Sequence, residues 1–440
     1  MSKVETGENA HRDDERTRRE PHDAHRPHDA QGPDEEVVRL PMVSPGPLDP
    51  PAAWERLRER CPVATVELPS GDRAMFLSRY ADVRAMLSDP RFARPTAGDD
   101  SARLSADGAG GVAADADPEY ELAIPENGEP HQRWRRQVGR YFTAKRMAAL
   151  RPGMTRIAES LLDEMVERGR PADLKAALGF PLPVYVICDL LGAPAEERDR
   201  FSHWSDAFLN VSRFTQEETR AAFGEFAAYM RDLIAAKRAE PGEDLLSMLI
   251  VEGAALPEEE RLTDAELLAT GMGLLVAGHE TTANMIGKMV ALLLSDRARW
   301  DQLLRDPSLI RTAVEEVLRF DANLGGFGIR RHLSEDLDLD GKMVPRGTTV
   351  CCGMSSANRD ERVFAHADEM DLARSPNPHL TFGAGPHSCL GQALARTELQ
   401  VVLEVLLRRL PTLELAVPAE ELRKVEGLLV GGLREVPVRW

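Results

Sequence analysis

Residues 382 to 391 read FGAGPHSCLG, a run that sets a single cysteine, Cys389, among glycines. A thiolate is the nucleophile and metal ligand of choice among side chains, but it needs surroundings that hold it deprotonated and let a partner come close. Gly383, Gly385 and Gly391 supply turns and a close backbone approach that a side chain would block. From Leu390 onward, in GQALARTELQVVLEVLLRRL, apolar residues recur at three- and four-residue spacing, which predicts a helix and puts Cys389 at a loop-to-helix junction. Free N–H groups and the positive dipole end at such a junction favour a thiolate. A lone cysteine there would ordinarily be structural, so its company decides the reading.

A second polar cluster interrupts an apolar run that opens at Thr263 and continues to about Leu294. T-D-A-E forms a capping box between Thr263 and Glu266, which starts a helix. At its middle stands AGHETT, residues 277 to 282, and polar groups inside a buried helix are costly unless used. Ala277 and Thr281 lie one turn apart on one face. Ala277 with Gly278 removes the bulk that would keep a flat macrocycle away, and Glu280 puts an acid beside the Thr281 alcohol. Thr281 can also bond back to a carbonyl one turn earlier, which is compatible with a chemical role. His279 points about 200° from Ala277 at about 100° per residue, so it is expected to pack against a neighbouring element.

Two further pairs stand at helical spacing. Glu316 and Arg319 in EEVLR, as a bare pattern, make an ordinary surface ion pair. In EPHQRWRRQVGRYF, His131, Arg135, Val138 and Phe142 fall on one stripe and Arg133, Arg136 and Arg140 on the opposite face.

These four segments together resemble the cytochrome P-450 family. F-G-x-G-x-H-x-C-x-G is similar to its haem-binding signature, AGHETT to its A-G-x-[D/E]-T-[T/S] stretch, Glu316 and Arg319 to its E-x-x-R pair, and His131 and Arg135 to its H-x-x-x-R pair. The likeness covers roughly residues 45 to 440 and includes PGEDLLSMLI at 241 to 250 and ANRD at 357 to 360. A thiolate axial ligand is what a haem iron needs for O–O cleavage. The resemblance therefore implies haem b (iron protoporphyrin IX) ligated by Cys389, within a loop of Phe382, Gly383, His387 and Gly391 and against Ala277 and Gly278. By the same resemblance, His131, Arg135, His387 and Arg331 contact the haem propionates. Thr281 bonds the bound oxygen molecule, Glu280 relays protons to it, and Glu316 with Arg319 locks the haem-side core. The family often adds a third arginine to that lock; here Glu369 stands at its place, and Arg359 or Arg374 is left to substitute.

The implied fold is mainly α with small β-sheets, the sheets drawn from segments such as VATVEL, AMFLSRY and DLDGKMVPRGTTV. With no linker and no internal repeat, residues 37 to 440 are expected to form a single haem-thiolate domain. Residues 1 to 36, charged and Pro-dotted with almost no large apolar side chains, are expected to be a disordered tail. In a chain of 440 residues, 42% hydrophobic content is ample for a large core.

The implied activity is monooxygenation: one oxygen atom from O2 inserted by hydroxylation or epoxidation into a bulky small molecule of secondary metabolism. The alternative is oxidative aryl, C–C or C–N coupling at the same haem. No nicotinamide or flavin fingerprint is found, so electrons are expected from a separate ferredoxin and ferredoxin reductase, with Arg133, Arg136 and Arg140 as a basic docking patch. A net charge of −18 argues against nucleic acid. The absence of a 20-residue apolar run argues against a membrane anchor. Five scattered cysteines and no signal peptide point to a cytoplasmic protein, expected as a monomer. The pocket is expected from residues about 85 to 125, 205 to 232, 323 to 329 and 427 to 431. Three glycines in NLGGFGI suggest room for a large ligand.

Overall fold

The structure, a computed structural model, describes residues 38–95, 101–104, 124–209, 214–323, 326–339, 342–425 and 430–440. The expected tail at 1–36 and parts of all four expected pocket segments lie outside these residues.

A helix over Asp264–Leu294 runs through the middle of the main core. Its start is the capping box read in the sequence: the Thr263 hydroxyl accepts from the Glu266 N–H at 3.1 Å, and the Glu266 carboxylate accepts from the Thr263 N–H at 2.8 Å. From Thr282 to Leu294 every residue is buried, so this half is wrapped by neighbours on all sides. Pro181–Leu191, Ile310–Phe320 and Gln392–Arg409 supply much of that wrapping, through Ile187, Val317 and Val402 among others, and Ala144–Arg168 packs on Pro181–Leu191 and Gln392–Arg409 from outside. Each such side chain contributes about 1.5–3 kcal/mol by leaving water.

The β structure is small and lies where the sequence put it. A six-stranded sheet runs in the order Val38–Arg39, Val63–Glu67, Arg73–Leu77, Thr349–Cys352, Ile329–Leu333, Phe92–Ala93. Alternation sets its register: Ala64 and Val66 face inward while Val63 pairs antiparallel with Leu77. Arg73–Leu77 then runs parallel to Thr349–Cys352, with Met75 opposite Val350. Leu337–Leu339 and Lys342–Val344 pair as a separate two-stranded sheet, and Ala172–Asp173, Glu414–Leu415 and Pro437–Arg439 form a third.

The His131 helix is shorter than its apolar pattern. It spans Gly128–Gly139, and Tyr141 and Phe142 follow in a turn where both are still buried. Among the described residues no helix is long and apolar enough to cross a membrane.

Candidate active site

The cysteine loop is folded by its own backbone. The Cys389 N–H donates to the Phe382 carbonyl at 2.7 Å, and the Gly383 N–H to Leu380 at 2.8 Å. Gly385 has φ +68°, and a Cβ there would stand 2.6 Å from the Ser88 Cα of the helix Tyr80–Ser88, so only glycine lets the loop close on that helix. The following helix begins at Gln392, with Gly391 as its cap. Cys389 keeps an open side, yet the loop crowds it enough that burial pushes its thiol up. The Gly391 N–H and the charges of Arg135 and Arg396 oppose that rise without cancelling it. Two residues, Leu390 and Gly391, stand between Cys389 and the first helical residue, Gln392.

Beside the loop three guanidinium groups and two imidazoles converge. Arg135 donates to the Ser388 carbonyl at 2.7 Å, and the His131 ring stacks on His387 at 4.4 Å. Arg331 comes in buried from the strand Ile329–Leu333, its Nη1 bonded to the Arg330 carbonyl at 2.8 Å. Arg94, just past the strand Phe92–Ala93, joins these four and acts on every one of them. Burial, reinforced by neighbouring positive charge, lowers His131 to about 4 and His387 to about 3. Burial also lowers Arg331 to about 10, with Arg94 adding to the fall. Among the described residues no carboxylate is among the charges acting on these three.

The His387 Nδ1 and the Arg331 Nε are both buried without a hydrogen-bond partner. Burying like charges and orphaned donors together is costly unless an anion completes the set. Two guanidinium groups and two imidazoles suit a pair of carboxylates, so the donor set fits the propionates of haem with the Cys389 sulfur as iron ligand. Arg94 was missed by the sequence reading; its only signal was a cation next to a short strand. Phe382, half-buried, lies under the Arg396 guanidinium at 4.4 Å, and Arg396 pairs with Glu315 at 2.8 Å.

On the long helix Ala277 is exposed and Thr281 half-buried, and the Thr281 hydroxyl donates to the Ala277 carbonyl at 3.0 Å. Gly278 departs from expectation: a Cβ there would meet the Ile187 Cδ1 at 2.9 Å, so its lack of a side chain serves contact with the helix Pro181–Leu191 instead of clearing space beside Ala277. His279 packs away from that face as expected. Its Nε2 bonds with the Phe180 carbonyl at 3.1 Å, its Nδ1 meets the Ser205 hydroxyl, and burial lowers it to about 4.

Burial pushes the Glu280 carboxyl up, while Lys175 and the Asn284 amide counter the rise. The Lys175 stem lies beside Gly179 and Gly287, where a Cβ on either would touch it at 3.7 Å, and its ammonium donates to the Leu433 carbonyl at 2.6 Å. Nothing in the sequence linked Lys175 to Glu280, because the two are brought together by packing.

Glu316 and Arg319 are both wholly buried and joined by two bonds of 2.7 and 2.8 Å. Arg319 also donates to the carbonyls of Asn358, Ala367 and Glu369. Glu316 accepts from the Asp371 N–H, the Asn377 amide and Arg374. Arg374 is therefore the third partner. Arg359 instead lies over the Phe320 ring at 3.8 Å and pairs with Asp368.

Two sequence expectations change. Arg133 does not belong to an outer patch: it pairs with Glu266 and donates to the Arg261 carbonyl at 2.6 Å, because the helix Gly128–Gly139 packs beside the start of the long helix. Arg136 and Arg140 remain half-exposed, paired with Glu129 and Glu252. The glycines of NLGGFGI that are described do not open a cavity. A Cβ on Gly326 would meet the Pro41 Cβ at 3.2 Å, and Gly328, at φ +71°, would meet the Cys352 carbonyl at 2.5 Å, so both serve packing and the turn.

Residues 199–424 match the sequence profile described as Cytochrome P450. The chain is 42% identical over 402 residues to nocardicin C N-oxygenase of Nocardia uniformis subsp. tsuyamanensis, covering 91% of this chain and 98% of that protein. It is 44% identical over 388 residues to mycinamicin IV hydroxylase/epoxidase of Micromonospora griseorubida, covering 88% and 94%. The solved structure of the mixed-function P450 MycG superposes with a TM-score of 0.82 at 42% identity, covering 92% of this chain and 100% of that one.

Proposed function

The chain belongs to the cytochrome P450 family and is a haem-dependent monooxygenase; from that premise we propose that Cys389 is its iron ligand and that Thr281 and Glu280 carry protons to the site. The observation that carries the assignment is the convergence of Arg94, His131, Arg135, Arg331 and His387 beside the Cys389 loop, with orphaned donors on Arg331 and His387. When bound, the haem supplies the oxygen chemistry.

The protein supplies binding and proton control. Arg135, Arg331, His131 and His387, with Arg94, hold the two propionates, and the glycine turns hold the sulfur in place. Ala277, exposed on the Thr281 face, leaves that face open. Burial lets Glu280 keep a proton to higher pH than an ordinary carboxyl, which suits a group that must give one up. Thr281 can pass a proton on by releasing the Ala277 carbonyl and turning its hydroxyl away from the helix.

The substrate we assign is a bulky secondary metabolite, supported by the nocardicin and mycinamicin substrates named for the relatives. Gly326 and Gly328 pack against Pro41 and Cys352 and add no room to the pocket. Oxidative coupling has no observation in its favour. Electrons come from a ferredoxin and its reductase, with the half-exposed Arg136 and Arg140 as the docking cations. The whole of 37–440 acts as one haem-thiolate domain, a cytoplasmic monomer.

The test is the visible spectrum of the reduced protein under carbon monoxide, for wild type and Cys389→Ser. A strongly red-shifted Soret band that the substitution abolishes supports the ligand assignment; haem-loaded wild type without that band refutes it. Low-to-high spin titration with macrolide-sized and terpene-sized compounds tests the substrate class, and a preference for compact terpenes would sink it.

A further inference from the structure

Asn323 is one of two described non-glycine residues with a left-handed backbone, at φ 63°, and it is buried. It stands shortly after the helix Ile310–Phe320 and ties three segments together. Its side-chain amide donates to the Thr281 carbonyl at 2.8 Å. Its N–H donates to the Asp321 carboxylate at 3.0 Å, and that carboxylate also takes the Lys288 ammonium of the long helix at 2.8 Å. Its carbonyl accepts the Gly431 N–H at 2.7 Å.

Folding alone would favour glycine here. Glycine adopts this backbone freely and asparagine does so at a modest cost, but asparagine leaves its Oδ1 buried without a partner. A buried amide oxygen left without a partner at the edge of a reactive site calls for a reason beyond the turn. The one bond that asparagine makes and glycine could not is the bond to Thr281.

We propose that Asn323 is a positioning residue for Thr281: its amide pins the Thr281 carbonyl, fixes the turn that presents the hydroxyl, and ties that turn to the segment at Gly431. The inference rests on the reading of Thr281 as a proton carrier. Its consequence is a link of two hydrogen bonds, Gly431 to the Asn323 carbonyl and the Asn323 amide to the Thr281 carbonyl. The Thr281 hydroxyl can then leave the Ala277 carbonyl without the backbone following it.

Asn323→Gly tests this, because it keeps the backbone shape and both main-chain bonds and removes the amide alone. Two readouts are compared in the haem-loaded protein: hydrogen exchange of the peptide spanning 277–288, and the share of reducing equivalents lost as peroxide, with Thr281→Ala in parallel. Expected for Asn323→Gly is exchange about tenfold faster in that peptide, a melting temperature lowered by no more than a few degrees, and a several-fold larger peroxide share. Wild-type exchange would overturn the proposal. Faster exchange with wild-type coupling, while Thr281→Ala leaks peroxide, would overturn it too, by showing that the bond is structural only. If Thr281→Ala itself stays coupled, the fault lies in the proton-carrier reading, and the proposal falls with it.

Discussion

Arg374 reaches the Glu316 carboxylate through its Nε at 3.1 Å and so completes a buried group that already holds Arg319. The pair spans 58 residues, and it gathers the segment from Asn358 to Asn377 around the base of one helix. A pattern worth little on a helix surface becomes here an enclosed pair in which neither Glu316 nor Arg319 can be removed alone without leaving a buried charge.

Glu316→Gln should therefore destabilise the protein by about 3–5 kcal/mol, since Arg319 would keep a buried charge without its counter-ion. Arg374→Met should cost clearly less, because Glu316 retains Arg319, the Asp371 N–H and the Asn377 amide. Denaturant midpoints of the two variants check the order; equal losses would contradict it.

Thr281→Ala should leave the red-shifted carbon monoxide band intact while diverting reductant to peroxide. The substitution removes the hydroxyl and its methyl from the face that Ala277 leaves open, and Cys389 is untouched. Peroxide measured against product and reductant consumed is the readout, and unchanged coupling would remove Thr281 from the proton path.

Removing one propionate donor should loosen the haem. Arg331→Leu, at a buried site, is expected to weaken retention by roughly 1.5–3 kcal/mol, the worth of one hydrogen bond to a charged group. Arg94→Leu should act in the same direction but less, because Arg94 is exposed and salt screens it. Transfer of haem to an excess of a haem-free acceptor protein, timed at low and high salt, measures both; unaltered transfer from Arg331→Leu would argue that this cation serves the strand alone.

Glu398, on the helix that follows the cysteine loop, is buried with both carboxyl oxygens unpartnered, and burial raises it from 4.5 to about 8. The folded protein thus binds a proton that the unfolded chain has released above pH about 4.5. Stability from this group is fullest below that pH, declines as pH rises toward about 8, and is level beyond. Glu398→Gln should flatten the fall in melting temperature between pH 5 and 8; parallel slopes for variant and wild type would show that Glu398 does not titrate in that window.

The chemistry of this protein was legible in its sequence because it is carried by short, local patterns. Phe382 to Gly391 must close a turn on a helix, and only glycine at 385 allows it. Thr263 and Glu266 cap each other within one turn, and Ala277 and Thr281 share a face by helical period. Such relations are set by the backbone within a few residues, so spacing alone reveals them. What the chain could not disclose depends on segments meeting across long separations. Arg94 joins the His131 and His387 cluster, Arg374 and not Arg359 completes Glu316, Lys175 comes beside Glu280, and Asn323 reaches Thr281. The same holds for the errors. Gly278 and Gly328 looked like cleared space but face a helix and a strand, and Arg133 looked solvated but is held by Glu266. Helical period gives the direction of a side chain relative to its own element; which neighbour stands in that direction is decided by packing of the whole core.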